Sequence, residues 1–315
     1  MSALLPSAED LARFTLAVQH PATRRWVDDA VRSRRLATAH ESDLRLATDR
    51  DLAAQRAEMM HVGQQADAFL NRWLTVSDDL EAMLSIRFEG LDREKPFVDA
   101  TVLSRPFAGD DLSAMGRVAT ETYELFLPGY LRVWSAEPTD AFPGTDRDRR
   151  FLGAPLRDLV GREVPIELSV APTRDLCRYP DALAAYAAVD AVHPGHPGQA
   201  TIQDADDLQE SIETGTLFDV LVHGEWAGYV GATSDGGSDL GLAAHVVQEI
   251  ILVPEQRGRG YGAHLTTLLA AGLPGPDNVL LGAIHADNRG ALAGAMRAGR
   301  QDIGGWLQLP LVEMP

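Results

Sequence analysis

One stretch decides how the C-terminal half of this chain folds: Ile250-Ile251-Leu252-Val253-Pro254-Glu255-Gln256-Arg257-Gly258-Arg259-Gly260-Tyr261-Gly262-Ala263. It has the pattern of a buried strand, a short turn, three alternating glycines and the start of a helix. Glycine adopts backbone conformations closed to other residues and lets a ligand approach closely. The first N–H groups of a helix lack intrahelical partners and carry partial positive charge. The stretch therefore predicts an anion site suited to a phosphate, to which Arg257 and Arg259 could add charge.

Three other interpretations of this loop compete with that one. A dinucleotide loop would use Gly258, Gly260 and Ala263, but it needs its first glycine directly after the strand and more βα units beyond. Here residues 254–257 intervene and few residues remain after the loop. A nucleoside-triphosphate loop is excluded because no Gly-Lys-Ser/Thr is present there. A glycine-rich turn without a ligand stays open as an alternative.

The elements on either side of the loop alternate in type. Hydrophobic periodicity predicts strands at 164–170, 218–222, 227–231, 246–253, 279–284 and 306–309, and helices at 180–192, 204–213, 263–273 and 290–298. The predicted order is β-α-α-β-β-β-α-β-α-β.

The motifs in this half resemble those of the GNAT superfamily of acyl-CoA-dependent N-acyltransferases. Arg257-x-x-Gly260-x-Gly262 matches its cofactor-loop pattern, and the apolar strand before Pro254-Glu255 matches the context. The segment 222–231 resembles the family's hairpin, Asn288-Arg289-Gly290-Ala291-Leu292 its second segment, and Gly299 its later glycine. The resemblance covers residues 161–315. It implies an α/β fold with a GNAT-like mixed central sheet flanked by helices.

The resemblance also implies a cofactor, acetyl-CoA or another acyl-CoA, and a reaction, transfer of the acyl group to an amine of a small molecule. The residues it assigns to cofactor binding are Leu252, Val253, Arg257, Gly258, Arg259, Gly260, Tyr261, Gly262, Ala263 and Asn288. A backbone N–H near Leu252 or Val253 would bind the oxyanion, and Asn288 would orient the pantetheine arm or the next helix. The alternatives are a non-catalytic acyl-CoA-binding or sensing module and an O-acyltransferase.

Two positions depart from the family pattern. Family members often place a tyrosine seven residues after the asparagine, as general acid for the departing thiolate, and here that position is Ala295. The phenylalanine that often comes after the later glycine is Arg300. The residue that protonates the thiolate is therefore left open.

Candidate catalytic groups lie on the strands beside the loop. An attacking amine must be neutral, so a base is useful, and Glu249 lies where the family often carries such a carboxylate. His285 is a second candidate, and His245 a further one. A structural role is the alternative for each. No zinc-binding pattern of paired histidines is present in the sequence, so no metal is expected.

The N-terminal half carries less information. Residues 1–92 are predicted to be helical, with Ser77 capping a helix that carries Leu80, Met83, Leu84 and Ile86, and with an arginine cluster (Arg24, Arg25, Arg32, Arg34, Arg35) on a solvated face. Residues 93–160 are predicted to be a small α/β segment of a strand at 97–103, a helix at 110–127 and a strand at 130–134, then a loop at 138–150. That segment could be a degenerate GNAT-like half.

Composition narrows the class of partner. The net charge of the 315 residues is -18, which argues against nucleic-acid binding and favours a cationic amine as substrate. The one cysteine, Cys177, excludes a disulfide framework. The absence of a targeting segment and of a long apolar run favours a cytoplasmic protein that does not enter a membrane. The acceptor is expected to bind around residues 176–206, and a homodimer could form.

Overall fold

The computed structural model describes residues 4–311, apart from the side chain of Asp235. Its helices are α1 (Ala8–Ala17), α2 (Asp29–Thr48), α3 (Arg50–Met60), α4 (Asp111–Tyr123), α5 (Leu156–Leu159), α6 (Tyr179–Asp190), α7 (Ala205–Glu213), α8 (Tyr261–Gly272) and α9 (Arg289–Arg297). Its strands are β1 (Arg72–Thr75), β2 (Glu81–Phe88), β3 (Pro96–Leu103), β4 (Tyr130–Ser135), β5 (Asp146–Pro155), β6 (Leu168–Pro172), β7 (Leu217–Val222), β8 (Glu225–Gly236), β9 (Ala244–Leu252), β10 (Val279–His285) and β11 (Gln301–Pro310).

The chain divides into two compact units. Among the described residues, the first holds 4–149, 239–241 and 304–311, and the second holds 150–238 and 242–303. This differs from the three expected segments: the change of unit falls inside β5, and the last part of β11 packs with the N-terminal residues. No described helix is both long and apolar enough to cross a membrane.

The first unit contains a mixed sheet in the order β1-β2-β3-β4, with residues 305–310 of β11 antiparallel to β4. β1, β2 and β3 form an antiparallel meander, and α4 connects β3 to the parallel strand β4. One apolar cluster joins this sheet to α3 and α4, and a second joins it to α1. The unit is thus a sheet with helices on both faces.

The predicted helix after Ser77 is wrong, because Leu80 to Ile86 belong mainly to strand β2. Ala82, Met83, Leu84 and Ile86 are all buried. β2 pairs with β1 and β3 and is covered on both faces, so it shows a continuous apolar run instead of alternation. Such a run also fits helical spacing, which explains the error. The predicted loop at 138–150 likewise contains the start of β5.

The expectation of a solvated arginine cluster is only partly correct. Arg32 on α2 is 0% exposed, and its guanidinium bonds to the carbonyl of Leu240 and to the Gln19 side chain. On the same helix, the buried ring of His40 joins the Thr15 hydroxyl at 2.8 Å and the Asp43 carboxylate at 2.9 Å. This chain of polar contacts ties α1 to α2.

The second unit confirms the predicted element order, from β6 through α6, α7, β7, β8, β9, α8, β10 and α9 to β11. β6 begins at Leu168, a few residues later than expected. The sheet order is β5-β10-β9-β8-β7-β6, in which β6 to β9 are antiparallel and β9 is parallel to β10. One face packs on α8 and the other on α6 and α7, each with its own buried apolar cluster. The predicted mixed sheet flanked by helices is confirmed.

Strand β9 has two irregularities near its C-terminal end. Its parallel pairing with β10 ends at Val246↔Leu281, although β9 continues to Leu252 and β10 to His285. Its register with β8 shifts between Gly231, opposite Glu249, and Ala232, opposite Val247, so Gln248 is the extra residue of a bulge. Bulges re-aim side chains and are frequent beside active sites. The strands therefore separate at the point where Glu249 is re-aimed.

Candidate functional site

The glycine loop lies between the end of β9 and the start of α8, as predicted. Gly258 and Gly260 have φ angles of 73° and 84°, in the left-handed region that favours glycine. A Cβ at Gly258, Gly260 or Gly262 would meet no heavy atom within 4 Å, so the loop faces open space. No side chain caps α8, whose N-cap is Gly260 itself. The first N–H groups of α8 are therefore left for an external anion.

The side chain of Arg257 has a structural role. Its Nε donates to the carbonyl of Leu252 and its Nη2 to that of Ala185, both at 2.7 Å. Arg257 thereby ties the loop to the end of β9 and to α6. Arg259 is exposed and remains free to meet an anion. The charge predicted for this loop is therefore carried by Arg259 more directly than by Arg257.

Other predicted loop residues support the backbone instead of facing a ligand. The Tyr261 ring is buried in the apolar cluster under α8, and its hydroxyl donates to Glu167 at 3.1 Å. Gly262 and Ala263 contribute through their positions in the first turn of α8. The N–H of Val253 donates to the carbonyl of Ala227, so it is not free for an oxyanion. Strand alternation directs the N–H of Leu252 to the other edge, towards β10, where pairing has ended.

Glu249 is the most perturbed acidic group of the second unit. It is 1% exposed, and burial raises its pKa to about 7. Oε1 accepts a hydrogen bond from the Tyr186 hydroxyl at 2.6 Å. That bond and the nearby backbone of Gln203 and Ile250 favour the charged form, although Oε2 accepts no bond of normal geometry from the described residues. A carboxyl group with one unpaired oxygen and a pKa near neutrality can exchange a proton.

The chain between α6 and α7 covers Glu249. The Tyr186 ring lies 6.0 Å from that of His196, whose Nδ1 contacts Asp190 at 2.7 Å. The Tyr179 hydroxyl donates to the carbonyl of Gln203 at 3.0 Å. Of the residues expected near the acceptor, these four join the wall around Glu249. Asp181 instead pairs with Arg178 on the exposed side of α6, and His193 is exposed.

The two histidines differ in their surroundings. His245 is buried, and its ring contacts the carbonyl of Pro274 at 2.8 Å and the side chains of Ser234 and Asn278. It has a structural role. His285 is half-buried at the end of β10 and accepts from the Asp287 N–H at 3.2 Å. By alternation it lies on the face of β10 opposite Leu280, which packs under α8. His285 thus shares the face of Glu249 but does not bond to it.

Asn288 and the two departures complete the site. Asn288 is the N-cap of α9, where its Oδ1 accepts from the Ala291 N–H at 3.1 Å, so it orients this helix. Ala295 is buried on α9 and supplies no acid. Arg300 is 5% exposed, and its Nε and Nη1 have no partner among the described residues. Sequence reasoning missed this buried cation, and the Tyr186–Glu249 bond joins residues 63 apart that no motif links.

Comparisons with known proteins give structural matches only. No family model matches the chain, and no curated protein matches it. The chain is similar to solved GNAT acetyltransferases. One from Colwellia psychrerythraea is 12% identical, with a TM-score of 0.45 over 82% of this chain and 95% of that one. A GCN5-related N-acetyltransferase from Sphaerobacter thermophilus is 14% identical, with a TM-score of 0.43 over 82% and 92%. A tandem GNAT protein from the clavulanic acid biosynthesis pathway is 18% identical, with a TM-score of 0.39 over 85% and 98%.

Proposed function

We propose that the second unit transfers an acyl group, most simply acetyl, from acyl-CoA to an amine of a small molecule. The observation that carries this proposal is the position of two groups on one strand. β9 ends in an open glycine loop suited to a phosphate, and three residues earlier it carries the buried, protonatable Glu249. An anionic donor held at the loop and a proton acceptor within the sheet are what this transfer needs.

The loop fits the pyrophosphate of coenzyme A. Phosphate oxygens need several N–H donors in a concave site, and the start of α8 offers them without a competing side-chain cap. Open space at Gly258, Gly260 and Gly262 leaves room that side chains would fill. The exposed Arg259 adds a positive charge. When bound, the cofactor supplies an acyl group activated as a thioester.

Glu249 is the proposed base. An amine attacks a carbonyl carbon only in its neutral form, and a carboxylate with a pKa near 7 removes a proton effectively at neutral pH. The unpaired Oε2 would take that proton, directly or through a water molecule, while Oε1 is held by Tyr186. The acidic Asp190 in the covering segment is consistent with a cationic acceptor, the substrate class we favour.

The backbone of β9 supplies the other contribution. Negative charge that develops on a carbonyl oxygen is stabilised by an N–H that is already oriented. Leu252 is the candidate, because its N–H lies on the edge facing β10 beyond the last paired residues, whereas that of Val253 is engaged. In the reaction the nitrogen–carbon bond forms, the carbon–sulfur bond breaks and the thiol of coenzyme A leaves.

A non-catalytic acyl-CoA-binding module is the second candidate, and Ala295 favours it. This position on α9 is occupied by a buried methyl group, so it cannot donate a proton to the thiolate. Turnover separates the two functions.

The test is release of free thiol from acetyl-CoA with a panel of small amines, compared with alcohols of matched shape. We expect release that requires an amine. Saturable acetyl-CoA binding without release would favour the binding module, and release with alcohols only would favour O-acyl transfer. Absence of binding at millimolar acetyl-CoA would contradict the proposed function altogether.

A further inference from the structure

Arg300 stands apart from the other buried arginines. Arg32 bonds to a backbone carbonyl and a glutamine side chain, and Arg150 forms an ion pair with Asp302 at 2.8 Å. The Arg300 side chain forms neither a hydrogen bond nor an ion pair with the described residues, yet the residue is 5% exposed. A buried charge without a partner is costly. The second unit therefore contains a cation whose partner must come from outside the chain.

Its surroundings are built to hold a guanidinium. A Cβ at Gly282 on β10 would lie 2.4 Å from Nη1 of Arg300, so the missing side chain makes the room. Val247 of β9 borders the same space, because its Cβ would lie 3.6 Å from that Cβ. Burial alone lowers the pKa of Arg300, to about 10, and no neighbouring carboxylate acts on it. It remains positively charged at neutral pH.

The location is one residue beyond the last parallel pair of β9 and β10. Pairing ends at Val246↔Leu281, so Val247 and Gly282 mark the bottom of the opening between the two strands. Along β9, the order from the glycine loop inwards is Leu252, Glu249 and then Val247. Each strand residue advances about 3.3 Å, so Val247 lies roughly 7 Å deeper than Glu249. The guanidinium thus lies beyond the point where the thioester must meet the base.

We propose that Arg300 binds a carboxylate at the far end of the transferred acyl group. The preferred donor is then an acyl-CoA with a short dicarboxylic acyl chain, of the succinyl class, in place of plain acetyl. This inference rests on the proposed function and names its donor class. A carboxylate pairs with a guanidinium through two charge-assisted hydrogen bonds, which would satisfy the unpaired Nε and Nη1.

The experiment compares donors of equal chain length. Succinyl-CoA and butyryl-CoA each carry four acyl carbons, and only succinyl-CoA ends in a carboxylate. Calorimetric titration without an amine measures binding alone, and thiol release with amine measures kcat/KM. We expect wild-type protein to bind succinyl-CoA at least tenfold more tightly than butyryl-CoA, with a matching preference in kcat/KM. Arg300→Met should abolish the preference, and Arg300→Lys should retain part of it.

The controls separate a binding role from a structural one. Arg162→Met removes an exposed arginine of the same unit and should leave the preference unchanged. Gly282→Ala adds a methyl group where the guanidinium lies and should reduce the preference. If Arg300→Met does not fold, the comparison of the two donors on wild-type protein still decides.

Three outcomes would overturn the proposal. Equal affinity for both donors would do so while leaving acyl transfer intact. So would a carboxylate preference that depends on the acceptor and not on the donor, since the anion would then enter from the amine side. An equal loss of rate with every donor in Arg300→Met, without a change in binding, would assign the cation to the departing thiolate. Failure to bind any acyl-CoA would remove the proposed function as well.

Discussion

The two units contain the same crossover and finish it differently. In the first, the meander β1-β2-β3 leads into α4 and the parallel strand β4; in the second, β7-β8-β9 leads into α8 and the parallel strand β10. In both, the connection from strand to helix is short, 104–110 in one and 253–260 in the other. This likeness of order and direction supports the hypothesis that the N-terminal residues form a degenerate GNAT-like half.

The difference lies at the start of the crossover helix. In the first unit, the Asp111 carboxylate accepts from the Ala108 N–H at 2.7 Å and from Arg105 at 2.8 and 3.0 Å. An internal carboxylate therefore occupies the position where a helix start would bind an anion. In the second unit, glycines and an exposed arginine leave the same position open. One scaffold thus holds its own anion, and the other is free to bind one.

The largest expected effect is that of Glu249→Gln, which keeps the shape and removes the base. We expect the rate of acyl transfer to fall about a hundredfold or more. For the wild type, the rate should rise with pH through about 7, because the active carboxylate is the deprotonated form. This rising limb should disappear in Glu249→Gln. Steady-state kinetics from about pH 5.5 to about pH 9, a range that brackets this pKa, check both points.

Glu255→Gln is the matched control, since Glu255 is exposed beside the same loop. It should keep the rate and the pH limb. If Glu249→Gln also kept both, the base would lie elsewhere, and His285→Gln would be the next variant to measure.

The second prediction gives the second unit the solution found in the first. Gly260→Asp places a carboxylate at the start of α8, where it repels phosphate. Acyl-CoA binding should weaken at least tenfold, measured by calorimetry. Gly224→Asp is the control, because Gly224 also has a positive φ of 82° and open space but lies in the β7–β8 turn. Equal weakening in both variants would attribute the effect to backbone strain.

Tyr186→Phe should have a smaller effect. It removes a hydrogen bond that favours the charged form of Glu249, so the pKa of Glu249 should rise further. The pH at which the rate is half-maximal should move up by about one unit, with little change in the high-pH plateau. Tyr179→Phe loses a bond to the Gln203 carbonyl instead and should move it less. A shift downwards would mean that Tyr186 disfavours the charged form.

The smallest effect on binding is expected from Asp111→Ala. This variant should bind acyl-CoA as the wild type does but lose about 1–3 kcal/mol of unfolding free energy, measured with urea. Arg105 above all lowers the pKa of Asp111, so this stability is present above the unfolded pKa of about 3.9 and is lost as pH falls below it. Asp110→Ala should change little, because Asp110 makes no cap bond. A gain of a second binding site in Asp111→Ala would contradict the account of the first unit.

Local pattern was enough to predict the second unit. A helix start after a glycine loop and strands with clear turn signals depend on neighbouring residues, so the order from β6 to β11 and the place of the anion site could be predicted. The error at β2 has the opposite origin. Whether Leu80 to Ile86 form a helix or a central strand depends on partners far away in the sequence, and the apolar spacing fits both.

The parts of the site that the sequence could not show are contacts between distant segments. Glu249 was predicted, but its pKa depends on burial under the chain between α6 and α7. Arg257 was assigned to the ligand by its motif, whereas its guanidinium bonds to two carbonyls, one of them on α6. The unpaired Arg300 is evident only once Gly282 is seen beside it.

The central claim is that this chain holds one acyl-CoA, at the loop after β9. Titrating the full chain with acetyl-CoA, without an amine, tests it most directly. The account predicts one saturable site per chain, weakened at least tenfold by Gly260→Asp and unchanged by Gly224→Asp and Asp111→Ala. No saturable binding at millimolar acetyl-CoA, two sites per chain, or one site indifferent to Gly260→Asp would contradict it.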